Sequence, residues 1–307
     1  MIRVRKPGLS TTVQDRGRFG YAHLGISPCG AADVLGLRIA NRLVGNEEYA
    51  PALEMTLLGT TLEFECGAIV ALAGSECECK LGNYRAPMVA PIEVPAGGVL
   101  QCGSMTNGAR TYLAVRGGLD VPLVMGSAST DLRGGFGGVA GRRLRTGDAV
   151  AVGNSKGQLM RLRAGALDRL RYDSPVRITQ GSQHDWFGPA EYMKFLAGRY
   201  SVTEQSDRAG LRLNGEAITP REKKQLLTDG IPLGAIQVPA DGQPIILFVD
   251  QQTTGGYPKI ATVIRADMHR IGQLRPRDEI RFAEVSITEA IDALRTQERW
   301  FRDIWQQ

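Results

Sequence analysis

From residue 50 to 155, apolar runs too short to be helices alternate with glycine turns. The runs are Leu53–Leu58, Thr61–Phe64, Ile69–Ala73, Ile92–Val94, Val99–Cys102 and Thr111–Val115. The stops fall at Gly59, Gly67, Gly82-Asn83, Gly97-Gly98 and Gly117-Gly118. β-prone runs of this length, each ended by a residue that tolerates positive φ, fold as strands joined by turns. Thirty-eight glycines and fifteen prolines carry the same punctuation through the chain. With 307 residues, 43% of them apolar, there is material for two domains or one large β-rich domain. The fold class read here is mainly β with a few helices.

Two stretches read as helix. Pro28-Cys29-Gly30-Ala31-Ala32-Asp33 leads into a helix at about 32–44, with Val34, Leu37, Ala40, Leu43 and Val44 at three- and four-residue steps and Gly45-Asn46 as its stop. The last segment, 287–305, carries Ile287, Ala290, Ile291, Leu294, Phe301, Ile304 and Trp305 at helical spacing. Ser286 and Glu289 form a capping box at its start. That stripe is expected to pack on the protein or on a partner subunit, with Trp300 and Trp305 in the core or anchoring an interface.

Residues 153–175 shift to Lys, Arg and Gln with few β-formers, which places a domain boundary near 172. An internal echo suggests two related halves, 1–172 and 173–307. Val94-Pro95-Ala96-Gly97-Gly98 and Val238-Pro239-Ala240-Asp241-Gly242 each precede an apolar strand. Leu144-Arg145-Thr146-Gly147-Asp148 and Leu274-Arg275-Pro276-Arg277-Asp278 each sit near the end of a half.

Several function classes are disfavoured. The net charge of +5 is dispersed, which gives nucleic acid no evident footprint. Met1-Ile2-Arg3-Val4-Arg5-Lys6 has no apolar core, so no signal peptide is read, and no apolar run approaches the roughly 18 residues of a membrane helix. Five cysteines, an odd number, fit a reduced cytoplasm. Cys77-Glu78-Cys79 with Cys66 falls short of the four ligands of structural zinc, so no metal site is expected. Glycine-rich 117–141 fits neither the P-loop nor the dinucleotide fingerprint. Cys29 precedes a glycine at a helix entrance, but no His, Cys or Lys follows at a spacing that would make it a nucleophile.

The densest polar stretch is Asp250-Gln251-Gln252-Thr253-Thr254-Gly255-Gly256-Tyr257-Pro258-Lys259, set between the apolar runs Pro244–Val249 and Ile260–Ile264. It reads either as a turn whose polar groups face water or as a rigid loop presenting amides, hydroxyls, a phenol and an ammonium. Further polar segments are Thr11-Thr12-Val13-Gln14-Asp15-Arg16-Gly17-Arg18, Gly126-Ser127-Ala128-Ser129-Thr130 and Ser206-Asp207-Arg208-Ala209-Gly210-Leu211-Arg212-Leu213.

Gln252-Thr253-Thr254-Gly255-Gly256-Tyr257-Pro258 resembles a hallmark of the biotin-dependent carboxyltransferase family, also called allophanate hydrolase subunit 2-like or KipA-like. The other three segments are similar to further motifs of that family, so the resemblance covers nearly the whole chain. Ala32 and Ala209 stand where the family usually has methionine (or leucine at Ala32), and Arg277 stands where it has glycine. The resemblance implies two cyclophilin-like β-barrel domains. It implies ATP-dependent opening of 5-oxo-L-proline to L-glutamate, together with two further subunits, one KipI-like and one LamB-YcsF-like, with the ATP-holding subunit left open. Gln252, Thr253, Thr254, Lys259 and Arg208 supply the residue types such catalysis needs. Gln14, Asp15, Ser206, Gly255, Gly256 and Tyr257 are the substrate-binding candidates. Two alternatives stand beside it: a regulator that binds a KipI-like kinase inhibitor, and a carboxyltransferase working with a urea-carboxylase-type partner. No Met-Lys-Met occurs, so biotin is not expected on this chain. No nucleophile–base pair is evident, so the chain alone is not expected to be active.

Overall fold

The computed structural model describes residues 1–155, 157–168, 170, 175–221 and 226–306. The boundary placed at 172 lies outside the described residues. Contacts divide the chain into two compact units. Unit 1 comprises 1–19, 29–166 and 304–307, and unit 2 comprises 20–28 and 167–303.

Unit 1 has a seven-stranded sheet in the order Leu119–Asp120, Ala149–Val152, Ile2–Lys6, Thr61–Phe64, Val99–Met105, Cys77–Leu81, Tyr84–Ala86. A five-stranded sheet runs Ser10–Gln14, Ala52–Thr56, Arg110–Val115, Ala68–Gly74, Ile92–Val94. Its buried core includes Ile2, Val13, Leu62, Phe64, Val70 and Leu113. Helix α1, Val34–Leu43, packs on the Ala68–Gly74 and Arg110–Val115 strands. It starts two residues later than the periodicity predicts, because Asp33 is its N-cap and accepts from Gly36 N at 3.0 Å. Cys77 and Cys79 alternate along one strand, so both face the core, with sulfurs 3.4 Å apart.

Unit 2 is built on an eight-stranded sheet in the order Glu279–Ile280, Tyr200–Val202, Gly210–Asn214, Ile245–Leu247, Ala235–Gln237, Lys259–Val263, Val176–Gln180, Phe282–Glu284. Helix α2, Pro189–Ala197, buries Phe195 against Phe282, ring centroids 4.9 Å apart. Helix α3 spans Met268–Ile271 and α4 spans Ile287–Asp303. The chain is mainly β, its sheets include a near-closed barrel, and there are four α-helices among the described residues.

The capping box at α4 forms as expected: Ser286 N and Oγ donate to Glu289 Oε2 at 2.7 and 2.8 Å, and Glu289 N donates back to Ser286 Oγ at 3.2 Å. The helix stops at Asp303 rather than 305, because Trp305–Gln306 leaves it to pair with the strand Arg161–Leu162 within unit 1. The apolar stripe is buried only at its end. Phe301 is 1% exposed, whereas Ile287 is 71% and Ile291 46% exposed.

The internal echo is a structural one. In unit 1, Arg145 N donates to Asp148 Oδ2 at 2.7 Å, Asp148 N to Arg145 O at 3.1 Å, Gly147 N to Val4 O at 2.8 Å and Val4 N to Asp148 O at 2.8 Å. In unit 2 the same four bonds link Arg275, Arg277 and Asp278 with Val202, at 2.8, 3.1, 2.7 and 3.0 Å. Arg277 keeps the left-handed φ of 75° that Gly147 takes at 91°.

Candidate functional site

The loop at 250–259 is fixed at both ends in unit 2. Its first half is anchored by a bidentate pair: Arg208 Nε and Nη2 donate to Asp250 Oδ2 and Oδ1 at 2.8 and 3.0 Å, with Arg208 and Asp250 9% and 4% exposed. Asp250 N also donates to Arg208 O at 2.9 Å. Gln251 is buried, its Nε2 bonded to Ile231 O at 2.9 Å and its carbonyl accepting from Ser27 Oγ. Thr254–Gly255 then forms a two-residue strand against Asp229–Gly230, and Ile231 N donates to Thr253 O at 3.0 Å.

That small ladder carries Asp229 to Lys259. Lys259 begins the strand Lys259–Val263 and is 2% exposed, and its ammonium lies 3.1 Å from Asp229 Oδ2. The Asp229 side chain is 56% exposed. The Lys259 ammonium, helped by Gly230 N–H, holds the Asp229 carboxyl below the usual aspartate range. The backbone of Lys259 is clamped by Gln183, which accepts from Lys259 N at 3.2 Å and donates its own N–H to Lys259 O at 3.1 Å. Gly181 permits this approach: a Cβ there would sit 2.2 Å from Lys259 O. A well-held ammonium therefore faces one half-exposed acid, while Gln252, Thr254 and Tyr257 are exposed and Thr253 is half-buried. Such a set can hold an anionic oxygen and orient a small amide.

The structure brings Gln252, Thr253, Thr254, Gly255, Gly256, Tyr257 and Lys259 together on one loop and ties Arg208 to its base. Ser206 lies in a neighbouring turn, where its Oγ accepts from Arg212 N at 3.0 Å. Gln14 and Asp15 belong to unit 1. Gln14 is fully buried, with Nε2 bonded to Thr12 Oγ1 at 3.0 Å and Thr130 O at 3.3 Å. The Asp15 carboxylate is saturated: it accepts from Gly17 N (2.7 Å), Ser127 Oγ (2.6 Å), Ser129 Oγ (2.5 Å) and Ala128 N (2.7 Å). Two polar segments of the sequence thus meet in one buried cage. Sequence reasoning missed Asp229 and Gln183. Neither lies near the loop in sequence. No cluster of three or more His, Cys, Asp or Glu among the described residues is placed to hold a metal, and no helix there is long and apolar enough to cross a membrane.

Residues 24–284 match the family described as carboxyltransferase domain, subdomain A and B. The chain is 42% identical over 304 residues to the C subunit of 5-oxoprolinase from Escherichia coli (strain K12), covering 99% of this chain and 97% of that protein. It is 36% identical, with the same coverage, to the C subunit of 5-oxoprolinase from Haemophilus influenzae. The crystal structure of the K. lactis urea amidolyase superposes with a TM-score of 0.92 at 32% identity, covering 99% of this chain and 20% of that one. The chain therefore spans about a fifth of that solved structure.

Proposed function

This chain belongs to the carboxyltransferase domain family, subdomains A and B, and on that footing we propose that it is one subunit of an ATP-dependent enzyme that opens 5-oxo-L-proline to L-glutamate. Near full-length likeness to two proteins named as C subunits of 5-oxoprolinase supports the substrate. The observation that carries the chemistry is Lys259, a buried ammonium met by a single half-exposed carboxylate.

Opening a lactam by water builds negative charge on the carbonyl oxygen. ATP, as co-substrate, would phosphorylate that oxygen and make it a leaving group. The net reaction consumes ATP, the lactam and two waters, and releases ADP, phosphate and glutamate. The role assigned to this chain is electrostatic. Lys259 would turn from Asp229 to the developing oxyanion or phosphoryl oxygen, and Thr253 and Thr254 would donate to the same group. Asp250 keeps Arg208 from acting as a second free cation, so Arg208 serves by holding the loop. The partners proposed are a KipI-like and a LamB-YcsF-like subunit.

Likeness to the urea amidolyase structure favours a second reading, carboxyl transfer from a carboxylated biotin partner. One experiment separates the two. The chain is purified alone and with both partner subunits, then assayed for glutamate release from 5-oxo-L-proline with ATP and for transfer of labelled carboxyl from carboxybiotin. Glutamate release that needs ATP and all three subunits is expected. Turnover by the chain alone, or carboxyl transfer without glutamate release, would overturn the proposal.

A further inference from the structure

The strands Ala235–Gln237 and Lys259–Val263 of unit 2 do not keep one register to their ends. Ala235 opposes Thr262 and Ile236 opposes Ala261, but Gln237 opposes Lys259, so the second strand carries one residue more than the first. This is a β-bulge, placed at the start of the strand that carries Lys259. Ile260, the residue left without an opposite number, is held from the other side, where Gly181 N donates to Ile260 O at 3.0 Å. The bulge changes which way Lys259 points. Residues two apart on a regular strand share a face, and directly opposed residues share a face as well. Ile236 and Gln237 are consecutive and lie on opposite faces, so Ala261 goes with Ile236 and Lys259 goes with Gln237. Without the extra residue, Lys259 would share the face of Ala261 and Val263.

Gln237 is thus the cross-strand neighbour of Lys259, and directly opposed residues place their Cβ atoms about 4.5–5.5 Å apart. It is 1% exposed. Its amide lies under the loop: Nε2 donates to Tyr257 O at 3.5 Å, and a Cβ on Gly255 would sit 3.1 Å from the same nitrogen. Val238 N holds the next carbonyl, donating to Pro258 O at 3.0 Å. Two successive loop carbonyls are therefore held from one strand end. The residue type matters here. An amide beside Lys259 is neutral, so among the described residues Asp229 is the acid that meets the ammonium, and it does so half in water. A carboxylate in place of the Gln237 amide would draw the ammonium down onto the sheet, where burial strengthens the attraction.

We propose that Gln237 is a positioning residue for the Lys259 ammonium. The bulge puts the two side chains on one face, and the neutral amide steadies the loop while leaving the ammonium available to a ligand. This inference rests on the role proposed above for Lys259. Gln237 acts through Lys259 and the Tyr257 carbonyl, without touching the reacting group itself.

Gln237→Glu is the sharpest test, since it keeps size and shape while adding a charge. In the complex assembled with both partner subunits, kcat for glutamate release should fall at least about tenfold, with KM within about twofold of wild type. Gln237→Met is neutral and of similar length, and it should keep kcat within about fivefold of wild type, which separates loss of the Tyr257 contact from capture of the ammonium. A second measurement needs neither partners nor turnover. Urea unfolding of the full chain, with Gln237→Glu made in the wild type and in Lys259→Met, gives the coupling between the two positions. The added carboxylate should be tolerated beside Lys259 and should destabilise the Lys259→Met chain, a difference of at least about tenfold in the unfolding equilibrium constant. Coupling under about twofold, or an unchanged kcat in the folded and assembled Gln237→Glu enzyme, would overturn the proposal. Absence of glutamate release from the wild-type complex would instead overturn the reaction assigned above, and the coupling would still decide whether Gln237 governs Lys259.

Discussion

The two units repeat a turn bond for bond and diverge in the loops that carry their polar motifs. In unit 1, Asp15 is buried and every oxygen of its carboxylate is occupied by loop donors. In unit 2, Lys259 is as deeply buried, yet its ammonium meets one acid that is itself half in water. Both motifs look equally polar in sequence. The difference lies in satisfaction: a saturated charge holds structure, and a charge with donors to spare can be turned to a ligand.

The largest effect should come from breaking the saturated side. Asp15→Ala strands Ser127, Ser129 and two backbone N–H groups in a buried site, where each unmet donor costs about 1–3 kcal/mol. A loss of at least about 3 kcal/mol in urea unfolding is expected, with the Asn variant milder. Near-wild-type stability of Asp15→Ala would show that water enters the cage and would move Asp15 from structure towards ligand binding.

Breaking the unsaturated side should do the opposite. Lys259→Met removes a buried charge and leaves Asp229 free to face water, so the melting temperature should stay near wild type. Activity of the assembled enzyme should fall about tenfold or more, the usual cost of losing an oxyanion-type contact. Thr254→Val should fall in the same direction. Normal kcat/KM for both would leave the loop a hairpin only.

Asp229→Asn sharpens the comparison further. Asn can still accept from Gly230 N, the 2.7 Å contact of the wild type, but it no longer fixes the ammonium. A two- to fivefold change in kcat/KM is expected, since the variant moves Lys259 without removing it. The sign of any pH effect follows from the lowered carboxyl. The stabilisation from the ion pair is complete above the ordinary value of 3.8 and is lost only as pH falls through the lower folded value. Asp229 is therefore charged throughout the neutral range, and the Asn variant should lower activity by the same factor at about pH 6 and about pH 9. A factor that grows across that range would mean Asp229 titrates in the catalytic cycle.

Much of the fold was legible because it is local. The strands Ile245–Leu247 and Lys259–Val263 lie within the apolar runs around the polar loop or one residue outside them, and α1 and the capping box of α4 follow from periodicity and spacing. What was illegible is long-range. Asp229 reaches Lys259 only because a two-residue strand pairs with Thr254–Gly255. The serines that cage Asp15 lie 112 and 114 residues away. The exposed half of α4 could not be foreseen either: helical spacing tells which residues share a face, and not whether this chain covers it.

The smallest effect tests the part of the comparison where the units agree. Both turns are closed by an aspartate side chain that accepts from the backbone N–H three residues earlier, and both need one residue at positive φ. Unit 1 uses Gly147, which has open space where a Cβ would go, so its only barrier to substitution is the backbone conformation. Unit 2 uses Arg277, whose ion pair with Glu204 joins two side chains that are 86% and 70% exposed and adds little. If Asp148 and Asp278 dictate the turns, exchanging the residues should give opposite signs of similar size. Gly147→Arg should cost about 1 kcal/mol, the penalty of a left-handed side-chain residue. Arg277→Gly should gain somewhat less, because glycine gives back part of the benefit as unfolded-state entropy. Chemical denaturation of both variants decides it. A stabilising Gly147→Arg, or a destabilising Arg277→Gly, would mean that the two turns share hydrogen bonds without sharing the strain that those bonds impose.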